Sequence, residues 1–415
     1  MAATNPKTDQ DVYAYNQGET VKTDGIPDML REAKHAADFV LKAYVRAKGV
    51  IDDMALSIGD WKDHQWWGRP ETQDKLPLDS SKGDPAISRG GPLTRHVRLG
   101  EIGSSVAGET AAGLAILAKT YAEYDKPFAD SCLMVAKQMY ELGKNIATGK
   151  TDGYKYNKTP LFGTPAYSGS TNYHDDMALA AVGLFYATKD TAYLYDLAEN
   201  PALRGGQGKQ DFAYSNPQGF FRGGWFTFKQ AGFFKNDANT DWASTFTFAL
   251  YAFYKLILKD EATAASYGIS NDRRLEYAED VAYTMSSNVS DVSYTLGASE
   301  SIVIPKGGGW TSDGTVKYEP IWYTMQTQQD WIYNRYQLGN TIDVFTYADV
   351  TKDLEGVALP QTGIQNWKSD EMFQLGINQL NYMLGMNPWD ISFIYGIGDK
   401  NDAHPHHRAS NPEGK

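Results

Sequence analysis

The stretch NQLNYMLGMNPWDISFIYGIGDKNDAHPHHR, residues 378–408, contains the densest group of polar side chains suited to a binding site. Its first part predicts the end of an amphipathic helix, because apolar residues recur at helical spacing before Gly385. These residues are Ile377, Leu380, Met383 and Leu384. A short apolar strand is expected at 392–397, followed by a polar loop. The loop presents four potential ligand-binding side chains, which predicts a pocket wall. They are His404, His406, His407 and Arg408.

Three parts of this stretch closely resemble the C-terminal signature of glycoside hydrolase family 9. They are "YMLGMNP", "SFIYGIG" and "HPHHR". Most members of that family are β-1,4-glucanases. In the family, a Leu-Gly-x-Asn-Pro turn precedes a strand and a Pro-His-His-Arg loop, whose first His and Arg bind sugar beside the reaction centre. The resemblance assigns these roles to His406 and Arg408. The alternative for a histidine cluster is a solvated surface patch or an adventitious metal site.

Composition narrows the classes of partner. The formal net charge of −12 argues against nucleic acid and anionic membranes, because both would repel the protein. The 27 tyrosines and 10 tryptophans exceed the needs of a core, and stacking on sugars is one use for them. The single cysteine, Cys132, excludes an intrachain disulfide and is expected to be buried in a helix. We expect neither a transmembrane helix nor a signal peptide in this sequence.

Helical periodicity dominates the chain. Residues 1–24 are polar, and residues 25–415 are expected to form one domain of about ten paired helices with few strands. The first helix is expected at 25–49, and one of the last at 323–340. Alternation of uniformly apolar and one-sided helices favours an inner ring inside an outer ring. The resemblance implies an all-α (α/α)6 barrel, with long loops forming a cleft at one end. Such a barrel has twelve helices, so an incomplete one is expected here.

Three further stretches carry the resemblance. "GDWKDHQWWGRPE", residues 59–71, matches an Asp-His-x-x-Trp-Gly stretch that lines the family's cleft. "AYSGSTNYHDDMALAA", residues 166–181, matches a family stretch with a sugar-binding tyrosine, and "WYTMQT", residues 322–327, is aligned with Trp-Gly-x-Leu-Arg-Tyr. In the last alignment the Arg and Tyr of the family are replaced, by Gln326 and Thr327. The resemblance therefore implies four sugar-contacting residues. They are His64, Trp67, Tyr167 and Trp322.

Some members of the family bind structural calcium just after this tyrosine. The corresponding carboxylates are Asp175 and Asp176, and no other cofactor is implied. Two acids at the start of a helix are equally explained as partners of the helix dipole. The family's third ligand lies in a Trp-Asp pair, whereas this chain has the reverse order at 241–242. That reversal counts against the calcium site.

Hydrolysis by inversion needs an acid and a base on opposite sides of the scissile bond. In family 9 the base lies in an Asp-Ala-Gly-Asp motif before the first helix, and the acid in an Asn-Glu motif after the His-His-Arg loop. Neither motif occurs in this sequence. We therefore expect a chain truncated at both ends, which retains much of the sugar-binding wall and lacks the proton-transfer pair.

Three functions remain open. The first is a secreted, monomeric β-1,4-glucanase in its complete form, acting on cellulose or a related glucan. The second is a non-catalytic β-glucan-binding protein on the same fold. The third is another (α/α)6 polysaccharide hydrolase or lyase, with its acid among four carboxylates. Those are Asp63, Glu71, Asp175 and Asp176.

Overall fold

A computed structural model describes just over half of the chain. The described residues are 26–58, 69, 71–72, 97–99, 102–147, 173–203, 220, 240, 244–293, 333–360, 363–364, 367–387 and 389–401. Most of them are helical, which confirms the all-α class. The chain divides into two compact units, Met1–Thr227 with His407–Lys415, and Phe228–His406. Within the described residues, no helix is long and apolar enough to cross a bilayer.

The first unit has five described helices and one small two-stranded sheet. The helices are α1 Asp28–Arg46, α2 Ser104–Tyr121, α3 Lys126–Ala147, α4 His174–Thr188 and α5 Thr191–Ala198. Short 3-10 turns cover Ile51–Asp53 and Pro201–Leu203. Strands β1 Ala55–Ile58 and β2 Val97–Leu99 pair antiparallel.

Helix α1 confirms the first predicted helix, and its ends follow from its sequence. Pro27 precedes the first turn, and Gly49 has a φ of +78° just beyond the last one. Leu30 and Ala37 are buried as the amphipathic pattern predicted. Phe39 is exposed, because it lies two positions from Ala37 and so projects about 200° away around the helix.

Helices α2, α3 and α4 pack closely because small residues line their contacts. A Cβ on Gly108 of α2 would lie 2.7 Å from the backbone carbonyl carbon of Asp176 in α4, so only glycine permits this approach. The buried Ser104 hydroxyl donates to the Gly143 carbonyl of α3 at 2.9 Å. Cys132 is buried on α3, as expected, and burial raises the pKa of its thiol to about 12.

One buried carboxylate joins α3 to α5. Asp196 accepts a hydrogen bond from the Tyr140 hydroxyl at 2.9 Å and pairs with the Lys144 ammonium. Its second oxygen accepts from the Asn200 side-chain amide at 2.7 Å. A buried charge with this many partners is satisfied, so it locks the spacing of the two helices without leaving an unpaired ion.

The second unit has five described helices. They are α6 Phe246–Phe253, α7 Glu261–Ser266, α8 Asn271–Ser293, α9 Tyr333–Asp353 and α10 Ser369–Met383. A π-helical turn, Tyr254–Leu258, extends α6. The short strands β3 Ala358–Leu359 and β4 Gly363–Ile364 pair antiparallel between α9 and α10. Helix α9 packs on both α8 and α10.

Two expectations for this unit need correction. The helix expected at 323–340 continues to Asp353, and residues 323–332 lie outside the described residues. Its later turns are driven by burial at helical spacing, at Val344, Tyr347, Ala348 and Thr351. The strand expected at 392–397 is a series of turns, with only an isolated bridge between Ser392 and Asn401. Gly396 and Gly398, at φ of +77° and +81°, turn the backbone away from an extended path.

Helix α9 also anchors the loop residue Thr240. The Asp343 carboxylate accepts from the Thr240 backbone N–H at 2.9 Å and from its hydroxyl at 2.6 Å. One turn earlier, a Cβ on Gly339 would lie 1.8 Å from the Thr240 carbonyl oxygen. The close approach therefore requires glycine, and the buried Asp343 replaces the hydrogen bonds that Thr240 would otherwise make with water.

We predict that Gly339→Ala destabilises the second unit by about 2–4 kcal/mol, because the new methyl group overlaps backbone that cannot rotate away. The measurement is urea unfolding followed by far-ultraviolet circular dichroism. The matched control is Gly113→Ala in α2, where nothing lies within 4 Å of the new Cβ. That change should stabilise the helix by about 0.5–1 kcal/mol. Equal unfolding curves for the two variants would contradict the packing described for Gly339.

Candidate active site

All six residues expected to contact sugar lie outside the described residues, and their roles stay predictions. These residues are His64, Trp67, Tyr167, Trp322, His406 and Arg408. Of the carboxylates named for the third function, Asp63 also lies outside, and Glu71 is exposed in a single described turn. Asp175 and Asp176 are described and buried.

The segment that leads to the His-His-Arg loop is held firmly against the end of α10. Gly385, at a φ of +121°, ends the helix as predicted. The Asn387 side-chain amide donates to the Tyr382 carbonyl at 2.9 Å and to the Ile391 carbonyl at 2.7 Å. The Phe393 backbone N–H donates to the Met383 carbonyl at 2.9 Å. Asparagine in the Asn-Pro turn therefore replaces several backbone hydrogen bonds that the helix end leaves unmade.

The same segment closes on itself before the loop begins. The Ser392 backbone N–H donates to the Lys400 carbonyl at 2.8 Å, and the Gly396 N–H donates to the Asn401 side chain at 3.2 Å. Asn401 is the last described residue, five positions before His406. The loop that carries His406 and Arg408 therefore starts from a fixed point and not from a free tail.

A group of acidic side chains lies where α2 meets α4. Asp175 and Asp176 are in the first turn of α4, where the partial positive charge of the helix end favours carboxylates. Glu109 is on the facing helix, beside Gly108. Burial, and secondarily the Asp175 charge, raise the pKa of Glu109 to about 6, although the residue keeps considerable exposure to solvent. Sequence reasoning missed Glu109, because only the helix crossing brings it to the two aspartates.

These acids do not form a complete metal site by themselves. Among the described residues, no group of three or more His, Cys, Asp or Glu side chains is arranged to hold a metal ion. The donor type suits a hard cation such as calcium, which takes six to eight oxygen ligands. Asp175 and Asp176 could supply carboxylate oxygens to such an ion, and the other ligands would have to come from other groups.

Comparison with known families identifies the family of this chain. The model of "Glycosyl hydrolase family 9" matches residues 10–414, nearly the whole chain. The chain belongs to glycosyl hydrolase family 9. The expectation drawn from the Pro-His-His-Arg loop is thereby confirmed at the level of the family.

Curated relatives of this family 9 chain carry endoglucanase names. Endoglucanase 4 of Bacillus sp. (strain KSM-522) is 26% identical over 402 residues, which are 96% of this chain and 48% of the relative. Endoglucanase A of Bacillus pumilus is 25% identical and covers 96% of this chain and 46% of its own length. The chain thus spans about half the length of the curated relatives it matches.

Solved structures of family 9 cellulases share the fold. The catalytic domain of Clostridium thermocellum CelT aligns with a TM-score of 0.54 at 16% identity, over 88% of this chain and 58% of that one. Cellulase Cel9M of C. cellulolyticum in complex with cellobiose aligns with a TM-score of 0.52 at 19% identity, over 93% and 64%. These likenesses confirm the predicted fold class, the (α/α)6 barrel, for the family 9 chain.

The letters WIYNRY at 331–336 also keep the Trp, Arg and Tyr of the family stretch Trp-Gly-x-Leu-Arg-Tyr at the family spacing, and the match at Trp322 stays a prediction. Helix α9 is described from Tyr333, so the backbone of Arg335 and Tyr336 lies in its first described turn.

We predict that Glu109→Gln stabilises the protein at pH 7 and that this gain fades as pH falls from about 6 to 4.5. The folded state raises the pKa of Glu109 above its unfolded value of 4.5, so it binds the proton more tightly than the unfolded state. Stability that depends on this group is therefore present below pH 4.5 and lost as pH rises through 6. Glutamine resembles the protonated acid at every pH.

The measurement is the urea midpoint of both proteins between pH 4.5 and 7.5, with a chelator present so that no cation contributes. Glu123→Gln, at an exposed site just after α2, is the matched control. Because solvent screens the charge of Glu109, the difference in urea midpoint between the two proteins should be small. A gain that grows towards low pH would contradict the assignment.

Proposed function

We propose that the protein hydrolyses β-1,4-glucosidic bonds in cellulose or a related β-glucan by an inverting mechanism. The observation that carries the proposal is the family match, which includes the His-His-Arg loop. Relatives named endoglucanase support the reaction type. A cellulase neighbour in complex with cellobiose supports a β-linked glucose oligomer as the class of ligand.

In this proposal the chain supplies the wall that binds and orients the sugar. His406 and Arg408 hold the glucosyl unit at the cleavage point, and an arginine is suited to this because its planar fork donates two parallel hydrogen bonds. His64, Trp67 and Tyr167 contact neighbouring units of the glucan. Trp331 offers a ring face for stacking, and Arg335 and Tyr336 offer polar groups from the start of α9, beside the contact assigned to Trp322.

The chemical step needs two carboxyl groups about 6.5–9.5 Å apart, one protonated and one ionised. The acid protonates the leaving oxygen while the base removes a proton from the water that attacks the opposite face of the sugar. The expectation from sequence is that neither group is among residues 1–415. Since a polymeric glucan cannot enter a cell, we place the activity outside the cell, with a monomeric protein.

We predict that reducing sugar is released from carboxymethylcellulose by a version extended at both ends to the natural termini, and not by residues 1–415 alone. Removal of both proton-transfer groups typically costs many orders of magnitude in rate. The measurement is a reducing-sugar assay on both proteins, with binding of cellohexaose measured in parallel. An inactive extended protein that still binds cellohexaose would favour the non-catalytic binding function. Activity of residues 1–415 would place the carboxylates within the chain, as the third function requires.

We also propose a structural calcium ion at the start of α4, with Asp175 and Asp176 among its ligands. Two adjacent buried carboxylates with a third acid nearby form a strongly negative site, which a cation would neutralise.

Calcium bound only to the folded state should raise the thermal midpoint, and by mass action the rise should grow with calcium concentration. The measurement compares calcium with a chelator in the wild type and in Asp176→Asn. The Asp130→Asn variant, at an exposed salt bridge on α3, is the control. A thermal midpoint that calcium leaves unchanged would overturn the proposal.

A further inference from the structure

Large apolar side chains are exposed in an unusual concentration after α10. Between residues 384 and 397 the structure leaves five of them in contact with solvent. They are Leu384, Met386, Trp389, Tyr395 and Ile397. Trp389 is 59% exposed and Tyr395 is 66% exposed, which are high values for large aromatic side chains. Isolated exposed apolar residues are ordinary, but a concentration of this kind marks an interaction surface. We call the exposed rings of Trp389 and Tyr395 the aromatic platform.

The Trp389 end of the aromatic platform is held in place by hydrogen bonds and ring contacts. The Trp389 backbone N–H donates to the Asn387 side chain at 3.2 Å, and Asn387 is itself bound to the end of α10. The ring of Phe393 lies between Tyr382 and Trp389, with centroids 6.0 Å and 6.4 Å away. An interaction surface that is already ordered loses little entropy when it binds, so exposed rings held in this way are suited to recognition.

The charges around the platform favour a neutral partner. The Lys400 ammonium pairs with the Asp390 carboxylate at 2.7 Å, and Asp399 is the other charged residue between 386 and 401. The platform therefore carries no excess of positive charge for an anionic ligand, and the net charge of −12 repels polyanions. A partner that presents flat apolar faces edged with hydroxyl groups fits these rings and this charge. A β-linked glucan chain has this chemistry, because its C–H groups lie on the two faces of each ring and its hydroxyls point outwards.

The platform also lies close to the proposed cleavage point along the chain. Asn401 is tied to the platform segment through Ser392 and Gly396. His406 follows Asn401 by five positions in the sequence.

We propose that Trp389 and Tyr395 form an auxiliary binding site for a β-1,4-linked glucan chain. The inference rests on the proposed function and adds a surface to which the family resemblance assigns no sugar-binding role. Each ring stacks on the apolar face of one glucosyl unit, and the rigid backbone keeps the rings in place. The site lengthens the stretch of glucan that the protein holds, and so favours long chains over short ones.

The test measures binding of cellohexaose by titration calorimetry to the full chain and to four variants. Trp389→Ala and Tyr395→Ala should each raise Kd about 3- to 10-fold, because each removes one stacking contact. Trp389→Phe should stay within about twofold, since a ring remains. The matched control is Tyr195→Ala, which removes an aromatic side chain that is 47% exposed on α5 and should leave Kd unchanged. Circular dichroism of each variant establishes that the fold is intact, and maltohexaose tests whether the site requires the β linkage.

Unchanged Kd values for Trp389→Ala and Tyr395→Ala would overturn the inference, and so would a wild type that fails to bind cellohexaose. A change in sedimentation with unchanged Kd would assign the platform to contact between copies of the chain, which also overturns it. The proposed function is judged separately, by hydrolysis of carboxymethylcellulose by the extended protein. If that protein is active and its Trp389→Ala variant binds cellohexaose as the wild type does, the hydrolase proposal stands and the platform does not.

Discussion

Each unit depends on a place where a helix approaches another part of the backbone so closely that only glycine fits. In the first unit Gly108 brings α2 against the backbone of Asp176, and in the second Gly339 brings α9 against the carbonyl of Thr240. At these distances the backbones of the two elements are in direct contact, and the small residues around them fill the space without voids. The same approach determines which side chains meet. Glu109 lies near Asp175 only because its neighbour is glycine.

The buried polar groups follow from this close packing. Asp196 and Asp343 are each buried and each satisfied by several donors, so they fix the spacing of the elements that they join. A protein of paired helices needs such groups because apolar contacts alone allow helices to slide along each other. Asp175 and Asp176 are also buried, but they lie at a helix start beside a third acid whose pKa is raised. This concentration of acids is the basis of the proposal that they bind a cation.

The C-terminal segment connects the fold to the proposed function. Asn387 replaces the hydrogen bonds lost at the end of α10, and the turns after it replace the expected strand. This arrangement delivers the histidine loop from a fixed point and exposes Trp389 and Tyr395 on a rigid backbone. Gly396 and Gly398 have φ values of +77° and +81°, so the backbone turns here and does not continue as an extended strand.

The sequence by itself determined the family, the all-α class and most helix positions. The local spacing of apolar residues indicates helices directly, and motifs such as His-Pro-His-His-Arg are contiguous in the sequence. Both can therefore be recognised without knowledge of the folded structure. Sequence reasoning ended α9 at residue 340, whereas the helix continues to Asp353, because packing on neighbouring helices buries its later turns. Only the tertiary structure placed Glu109 beside Asp175, anchored Thr240 on Asp343 and left Trp389 exposed. These depend on contacts between residues far apart in the chain, and a single sequence contains no local signal for them.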